Sequence, residues 1–365
     1  MAASAPPTPS AAPAPSCPSG MTLIAGGPFR AGTSSPAAAP EETPAFETEV
    51  ATFCLDPTEV TVAAYQDCVR SGKCTASKAE GRFCNTRFPD RTDHPMNCVD
   101  WKQSAAYCEA RGARLPAELE WEYAARGGSE YRAYSWGAEA PDGRTCWKHV
   151  GGSCRVKEFP AGAFGLYDMI GNVWEWTDDW FGDYPWPAAH GTNKVYRGGS
   201  WSRRFEKWMS PRLRNRWPPG LQGSHLGFRC ALTPPGARCA YGRSSDGKRC
   251  LHGVKSATCL GRARWNGVRC ANPGEPRCPA SSEEVPGHGC TLTLDVKGPA
   301  PELASSPVTR ARTPELDADC QRNKPGRPSA YRYSGGTHHT RNQVSGAAGC
   351  SNRDVGVGWN SACRP

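Results

Sequence analysis

RGGSWSRRFEKWMSPRLRNRWPPGLQGSHLGFR, residues Arg197–Arg229, decides how this chain is read. It opens on a Gly-Gly turn signal, then sets Trp201, Trp208 and Trp217 among seven arginines, and it contains no cysteine. Indole faces beside guanidinium groups suit stacking on sugars, peptides or acidic polymers. The competing use of each Trp is as a large core plug. Upstream lie Gly171-Asn172-Val173-Trp174-Glu175-Trp176 and Arg114-Leu115-Pro116-Ala117-Glu118-Leu119-Glu120-Trp121-Glu122-Tyr123-Ala124-Ala125-Arg126.

Further outward, the spacing predicts a strand over 21–29 that ends in Gly26-Gly27, and a second strand over 47–55. A helix follows over 62–69, with Tyr65 and Val69 on one face. Asp100 and Gln103 stand in the capping-box relation for the next helix, which Gly112 stops. A third is expected to begin with Pro116 in its first turn, where a missing N–H costs nothing. It carries Ala117, Trp121 and Ala125 at i, i+4, i+8, making Trp121 a core plug, and ends at Gly127-Gly128. Beyond residue 130 the helical period is lost. Short aromatic segments broken by Gly and Pro predict irregular hairpins, hence an α+β domain closing near Ala231.

Nineteen cysteines in 365 residues exceed what a reducing compartment tolerates, and they do not fall into paired CxxC ligand sets. Disulfides and a secreted, periplasmic or cell-envelope location are expected, with Cys68–Cys74 and Cys84–Cys98 as local candidates. Residues 1–17 read as an Ala/Pro/Ser linker without the features of a signal peptide. From Leu232 the cysteines recur every 8 to 12 residues around Asp246-Gly247 and Asn266-Gly267 hairpin signals. This divides the chain into a linker (1–17), a main domain (18–231), small Cys-rich modules (232–297), a second linker (298–314) and a Cys-containing end (315–365). The net charge of +9 sits in the tail: 25 Lys+Arg balance 25 Asp+Glu in residues 1–230, whereas 19 stand against 10 in 231–365. A basic tail attracts acidic partners, but its arginines are scattered, so nucleic acid is not the expected one. No run is long enough to span a bilayer as a helix.

The ordered set Glu59-Val60-Thr61, His94-Pro95, Val99-Asp100-Trp101, the 114–126 segment, Phe164–Met169, the 171–176 motif, Arg197–Trp201 and Leu226–Ala231 resembles the formylglycine-generating enzyme, or sulfatase-modifying factor, family over about residues 18–231. The resemblance implies a variant of the C-type lectin fold with little regular secondary structure. It also implies a structural calcium held by Asp168, the Gly171 and Val173 carbonyls and Glu175, oxygen donors that suit a hard cation. The family's enzymes carry two copper-binding cysteines after the Gly-Gly-Ser motif, a soft-ligand chemistry no other side chain replaces. Here no cysteine follows Ser200 until Cys230. Copper and copper-dependent formylglycine synthesis are therefore not expected. What remains is a catalytically degenerate protein that binds a glycan, peptide or acidic surface polymer through Ser200, Trp201, Arg203, Arg204, Trp208, Arg212 and Arg214, or that serves structure. The alternative is an enzyme of other chemistry in the same cleft. The sequence does not indicate an oligomeric state.

Overall fold

Gly26 marks the point where the chain changes sheet. The computed structural model describes residues 14–185 and 188–259 and, beyond them, the backbone of six short strands. The first four strands are β1 (Thr22–Ile24), β2 (Gly27–Ala31), β3 (Ala45–Val50) and β4 (Phe53–Leu55). β1 pairs antiparallel with β4, and β2 with β3. The two continuous strands expected over 21–29 and 47–55 are thus each broken in two, because the chain leaves one three-stranded sheet for another at Gly26 and again at Ala51-Thr52. A Cβ on Gly26 would lie 2.3 Å from the Val50 carbonyl oxygen, so only glycine lets the two backbones cross there.

Three helices follow: α1 (Val62–Arg70), α2 (Trp101–Ala110) and α3 (Glu118–Ala125). The Thr61 hydroxyl caps α1 by accepting the Ala64 N–H. α2 has the expected reciprocal box: Asp100 accepts the Gln103 N–H at 2.8 Å while the Gln103 side chain accepts that of Asp100 at 3.2 Å. α3 begins at Glu118, two residues beyond Pro116, because Glu120 reaches back to accept the Ala117 N–H at 2.8 Å. The strands β5 (Trp174–Trp180), β6 (Lys194–Arg197), β7 (Asn215–Trp217) and β8 (Leu226–Gly227) form a sheet in the order β7-β6-β5-β8, with β5 and β8 parallel. β9 (Ala231–Leu232) completes the β1–β4 sheet, and β10 (Ser256–Thr258) pairs with β3. The architecture is α+β with short elements and long connections, as the sequence predicts.

Every residue of α3 is buried, including Glu118, Glu120 and Glu122. A buried carboxylate is tolerated only when paired. Each has an arginine: Glu118 with Arg214 at 2.6 and 2.8 Å, Glu120 with Arg114 at 2.6 and 2.7 Å, and Glu122 with Arg197 at 2.6 Å and Arg126 at 2.8 Å. Burial pushes the Glu120 and Glu122 carboxyls up, but their arginines outweigh it and hold both below the usual range. Trp121, Trp174 and Trp176 fill the space between the helices and the β5–β8 sheet, fully excluded from water.

Six disulfides lie among the described residues: Cys17–Cys54, Cys68–Cys74, Cys84–Cys98, Cys108–Cys230, Cys146–Cys154 and Cys239–Cys250. Both local pairs expected from spacing are present. The start of the Cys-rich region packs on the main domain: Arg249 bridges Asp178 at 3.1 Å and Asp179 at 2.9 Å, and Thr48 donates to the Gly253 carbonyl. Asp246-Gly247 lies between the antiparallel bridge partners Arg243 and Cys250, and the strands 264–265 and 270–271 flank Asn266-Gly267. The chain divides into compact units at 1–291 and 292–365, and of the second the structure describes one antiparallel pair, Gly349–Ser351 with Ala362–Arg364. The 298–314 linker and most of the 315–365 segment lie outside the described residues.

Candidate functional site

The Gly-Gly turn is built by close approach. Gly198 and Gly199 have φ of +103° and +79°, and a Cβ on Gly199 would lie 2.6 Å from the Trp208 carbonyl oxygen. This presses 198–200 under the loop that follows. Ser200 is fully buried, with its hydroxyl 3.3 Å from that of Ser202. Trp201 is buried against Phe83 and the Cys146–Cys154 bridge, and its indole N–H donates to the Ser224 carbonyl at 3.2 Å. The Arg203 guanidinium, also buried, lies 5.4 Å from the Trp174 ring and 5.1 Å from that of Trp208. Arg203 and Trp208 thus form one stack. Arg214 stands apart, clamped by Glu118 and lying 3.7 Å over the Tyr184 ring. Arg212 is half-buried, and its carbonyl accepts from Arg197. Of the seven residues named from sequence, Arg204 alone is exposed, and it shares its surface with Ser202, Phe205, Glu206 and Lys207. Phe205 is 60% exposed, and Glu206 accepts from the Tyr134 hydroxyl, whose ring stacks on Trp136.

A second constellation lies behind this loop. Arg229 is fully buried and holds four groups in place: both Glu175 oxygens at 2.7 Å, the Asp56 carbonyl at 3.0 Å and the Tyr167 carbonyl at 2.8 Å. The Trp121 indole also donates to Glu175, at 2.8 Å. The Tyr167 N–H donates to the Pro57 carbonyl, which joins the 57–59 segment to the 167–168 segment. Asp168 has a φ of +56°, and its carboxylate accepts the Lys157 N–H at 2.9 Å. Glu59 is 1% exposed, and neither carboxylate oxygen has a hydrogen-bond partner within the protein. Burial, then the Asp168 charge, pushes Glu59 well above the usual carboxylate range, against the pull of Arg229. Burial pushes Asp168 up to about 6.

The model of the sulfatase-modifying factor enzyme 1-like domain matches residues 6–234. The chain belongs to this family. The formylglycine-generating enzyme of Bos taurus is 30% identical over 284 residues, spanning 60% of this chain and 75% of that protein. The inactive C-alpha-formylglycine-generating enzyme 2 of Bos taurus is 31% identical over 277 residues, spanning 59% of this chain and 90% of that protein. Among solved structures, PvdO from Pseudomonas aeruginosa superposes with a TM-score of 0.50 at 24% identity, covering 58% of this chain and 93% of its own, which supports the fold.

In this sulfatase-modifying-factor-like domain, Cys230 is the first cysteine after Ser200, and it is fully buried in a disulfide with Cys108. Two buried carboxylates, Glu59 and Glu175, and the half-buried Asp168 surround one guanidinium. The Glu59 oxygens are left without a donor beside it, whereas both Glu175 oxygens are satisfied by Arg229 and Trp121. The resemblance points to Asp168 and Glu175 and not to Glu59, although Glu59-Val60-Thr61 is among the motifs that carry it. The available signal is an acidic residue between Thr58 and Val60, two residues before the Thr61 helix cap.

Proposed function

We propose that this is a catalytically degenerate member of the family, acting outside the cytoplasm as a binding protein for an acidic polymer such as a glycan or acidic peptide. The observation that carries the reading is the Trp174–Arg203–Trp208 stack. It occupies the loop after the Gly-Gly-Ser motif with bulky, permanently charged groups, and this segment supplies no thiol. The binding surface is the exposed rim of that loop, Arg204, Phe205 and Lys207, beside the Tyr134–Trp136 pair. Trp201, Arg203 and Trp208 support it from beneath. The disulfides support the extracytoplasmic location, and among the described residues no helix is long and apolar enough to cross a membrane.

The R204A/K207A variant should keep the melting temperature of the parent, since exposed substitutions change stability by only about 0.5 kcal/mol. Its retention on immobilised dextran sulfate should fall roughly tenfold, equivalent to about 1.4 kcal/mol. Undiminished retention would move binding away from this rim, and copper-dependent conversion of a Cys-x-Pro-x-Arg peptide would overturn the non-catalytic reading.

Within the same reading, Asp168, the Gly171 and Val173 carbonyls and Glu175 hold a structural calcium, with Glu59 beside them, close enough to feel the Asp168 charge. Bound there, the ion neutralises carboxylates that Arg229 alone leaves in excess. Calcium at 100 times its dissociation constant should stabilise the domain by about 2.7 kcal/mol, or roughly 5–10 °C in melting temperature for a domain of this size. The response should vanish in Glu59→Gln with Asp168→Asn. An identical melting curve in chelator and in calcium would remove the ion from the account.

A further inference from the structure

Among the described residues, one group of three side chains can offer soft or borderline metal ligands together. These are Cys146, His149 and Cys154, whose ligand atoms all lie within 4.8 Å of one another. The two sulfurs are joined in a disulfide and are buried, whereas His149 is exposed. We propose that the Cys146–Cys154 bridge is the closed form of a redox-gated zinc site, opened by a dithiol and completed by His149.

The loop is held in shape by groups that do not depend on the bridge. The Asn172 N–H donates to the Cys146 carbonyl at 2.9 Å, and the Asn172 side-chain oxygen accepts the Cys154 N–H at 3.0 Å. The N–H groups of Lys148 and His149 donate to the Arg203 and Trp201 carbonyls at 3.0 and 2.9 Å. On the far side, Arg91 donates to the Gly151 carbonyl and Asn85 to the Ser153 hydroxyl. Opening the disulfide therefore leaves both cysteines anchored by their own backbones. His149 Nδ1 lies 2.7 Å from the Gly152 carbonyl oxygen, so in the neutral imidazole the proton sits on Nδ1 and the Nε2 lone pair is available to a metal. This is the arrangement by which a ligating histidine is normally oriented.

The chemistry balances in two steps. A dithiol transfers two electrons and two protons to the bridge, becomes a disulfide itself, and leaves Cys146 and Cys154 as thiols. Zn2+ then displaces the two thiol protons and binds two thiolates and the imidazole, a set that suits this borderline d10 ion. Three protein ligands leave one tetrahedral position for water or substrate, and the exposure of His149 sets that position toward solvent. The site adjoins the Ser200–Arg203 segment through the two carbonyl contacts above, so metal occupancy would bear directly on the loop carrying the exposed rim.

The full chain is reduced with dithiothreitol under native conditions, freed of reductant without oxygen and titrated with Co2+, whose thiolate charge-transfer absorption reports the ligands. One equivalent of Co2+ should give that absorption and be displaced by Zn2+, and alkylation mapping should find Cys146 and Cys154 among the reduced residues. C146S/C154S should abolish the signal, and H149A should weaken binding at least tenfold. C68S/C74S should leave it intact, which separates this site from other reduced pairs. A signal surviving in C146S/C154S, equal affinity in H149A, or a Cys146–Cys154 pair that resists reduction or binds no Co2+ once reduced and still folded by near-ultraviolet circular dichroism would each overturn the proposal.

Discussion

Arg229→Leu is expected to lower stability by about 3–5 kcal/mol, the cost of leaving a buried ion partner uncompensated. The guanidinium is fully buried, and it is the cation in contact with Glu175, beside Glu59 and Asp168. Removing it also strips the Asp56 and Tyr167 carbonyls of their donor. For a domain of this size the melting temperature should drop by roughly 6–20 °C, measured calorimetrically in chelator. Arg229→Leu with Glu175→Leu should recover a large part of the loss, because the unpaired charge goes with its partner. A double variant as unstable as the single would show that the carbonyl contacts, and not the ion pair, carry the effect.

The Cys108–Cys230 bridge should have the other large effect. It ties α2 to the segment after β8 across 122 residues of sequence. Closing so long a loop restricts the unfolded chain, and by the chain-entropy relation its loss costs about 5 kcal/mol. C108A/C230A is therefore expected to fold marginally or not at all at 37 °C, whereas C68A/C74A, whose cysteines are only six residues apart, should cost about 2 kcal/mol. Chemical denaturation of the two variants side by side checks the ranking. Equal losses would mean that packing of the removed sulfurs, rather than chain restriction, sets the contribution.

What could be read in advance was what depends on neighbours in sequence. The Asp100–Gln103 box, the helical spacing of Tyr65 and Val69, the two short disulfides and Trp121 as a core plug all follow from residues no more than 14 positions apart. The sheet change at Gly26 could not be read, because it depends on Val50 approaching from 24 residues away. The same holds for the arginines. Arg203 and Arg204 are adjacent and chemically alike, yet one is stacked between tryptophans in the interior and the other lies in solvent. Arg214 looks like part of a cationic stripe until Glu118, 96 residues earlier, is placed against it. Periodicity reports on one element at a time. Glu59 and Asp168 gather around Arg229 because three separate segments meet there, and no local pattern encodes that meeting.

The glutamates of α3 have a consequence for how such a protein changes over generations. Four arginines, two flanking the helix and two from distant segments, must find three carboxylates on one short helix, and each match is fixed in the interior, away from the rim of the Gly-Gly-Ser loop. The instructions for folding and the residues that meet the outside world are therefore written in different places. A lineage can exchange the exposed residues 204–207 of that loop, from one chemistry to another, while its ancestry stays visible in an internal pattern of charges.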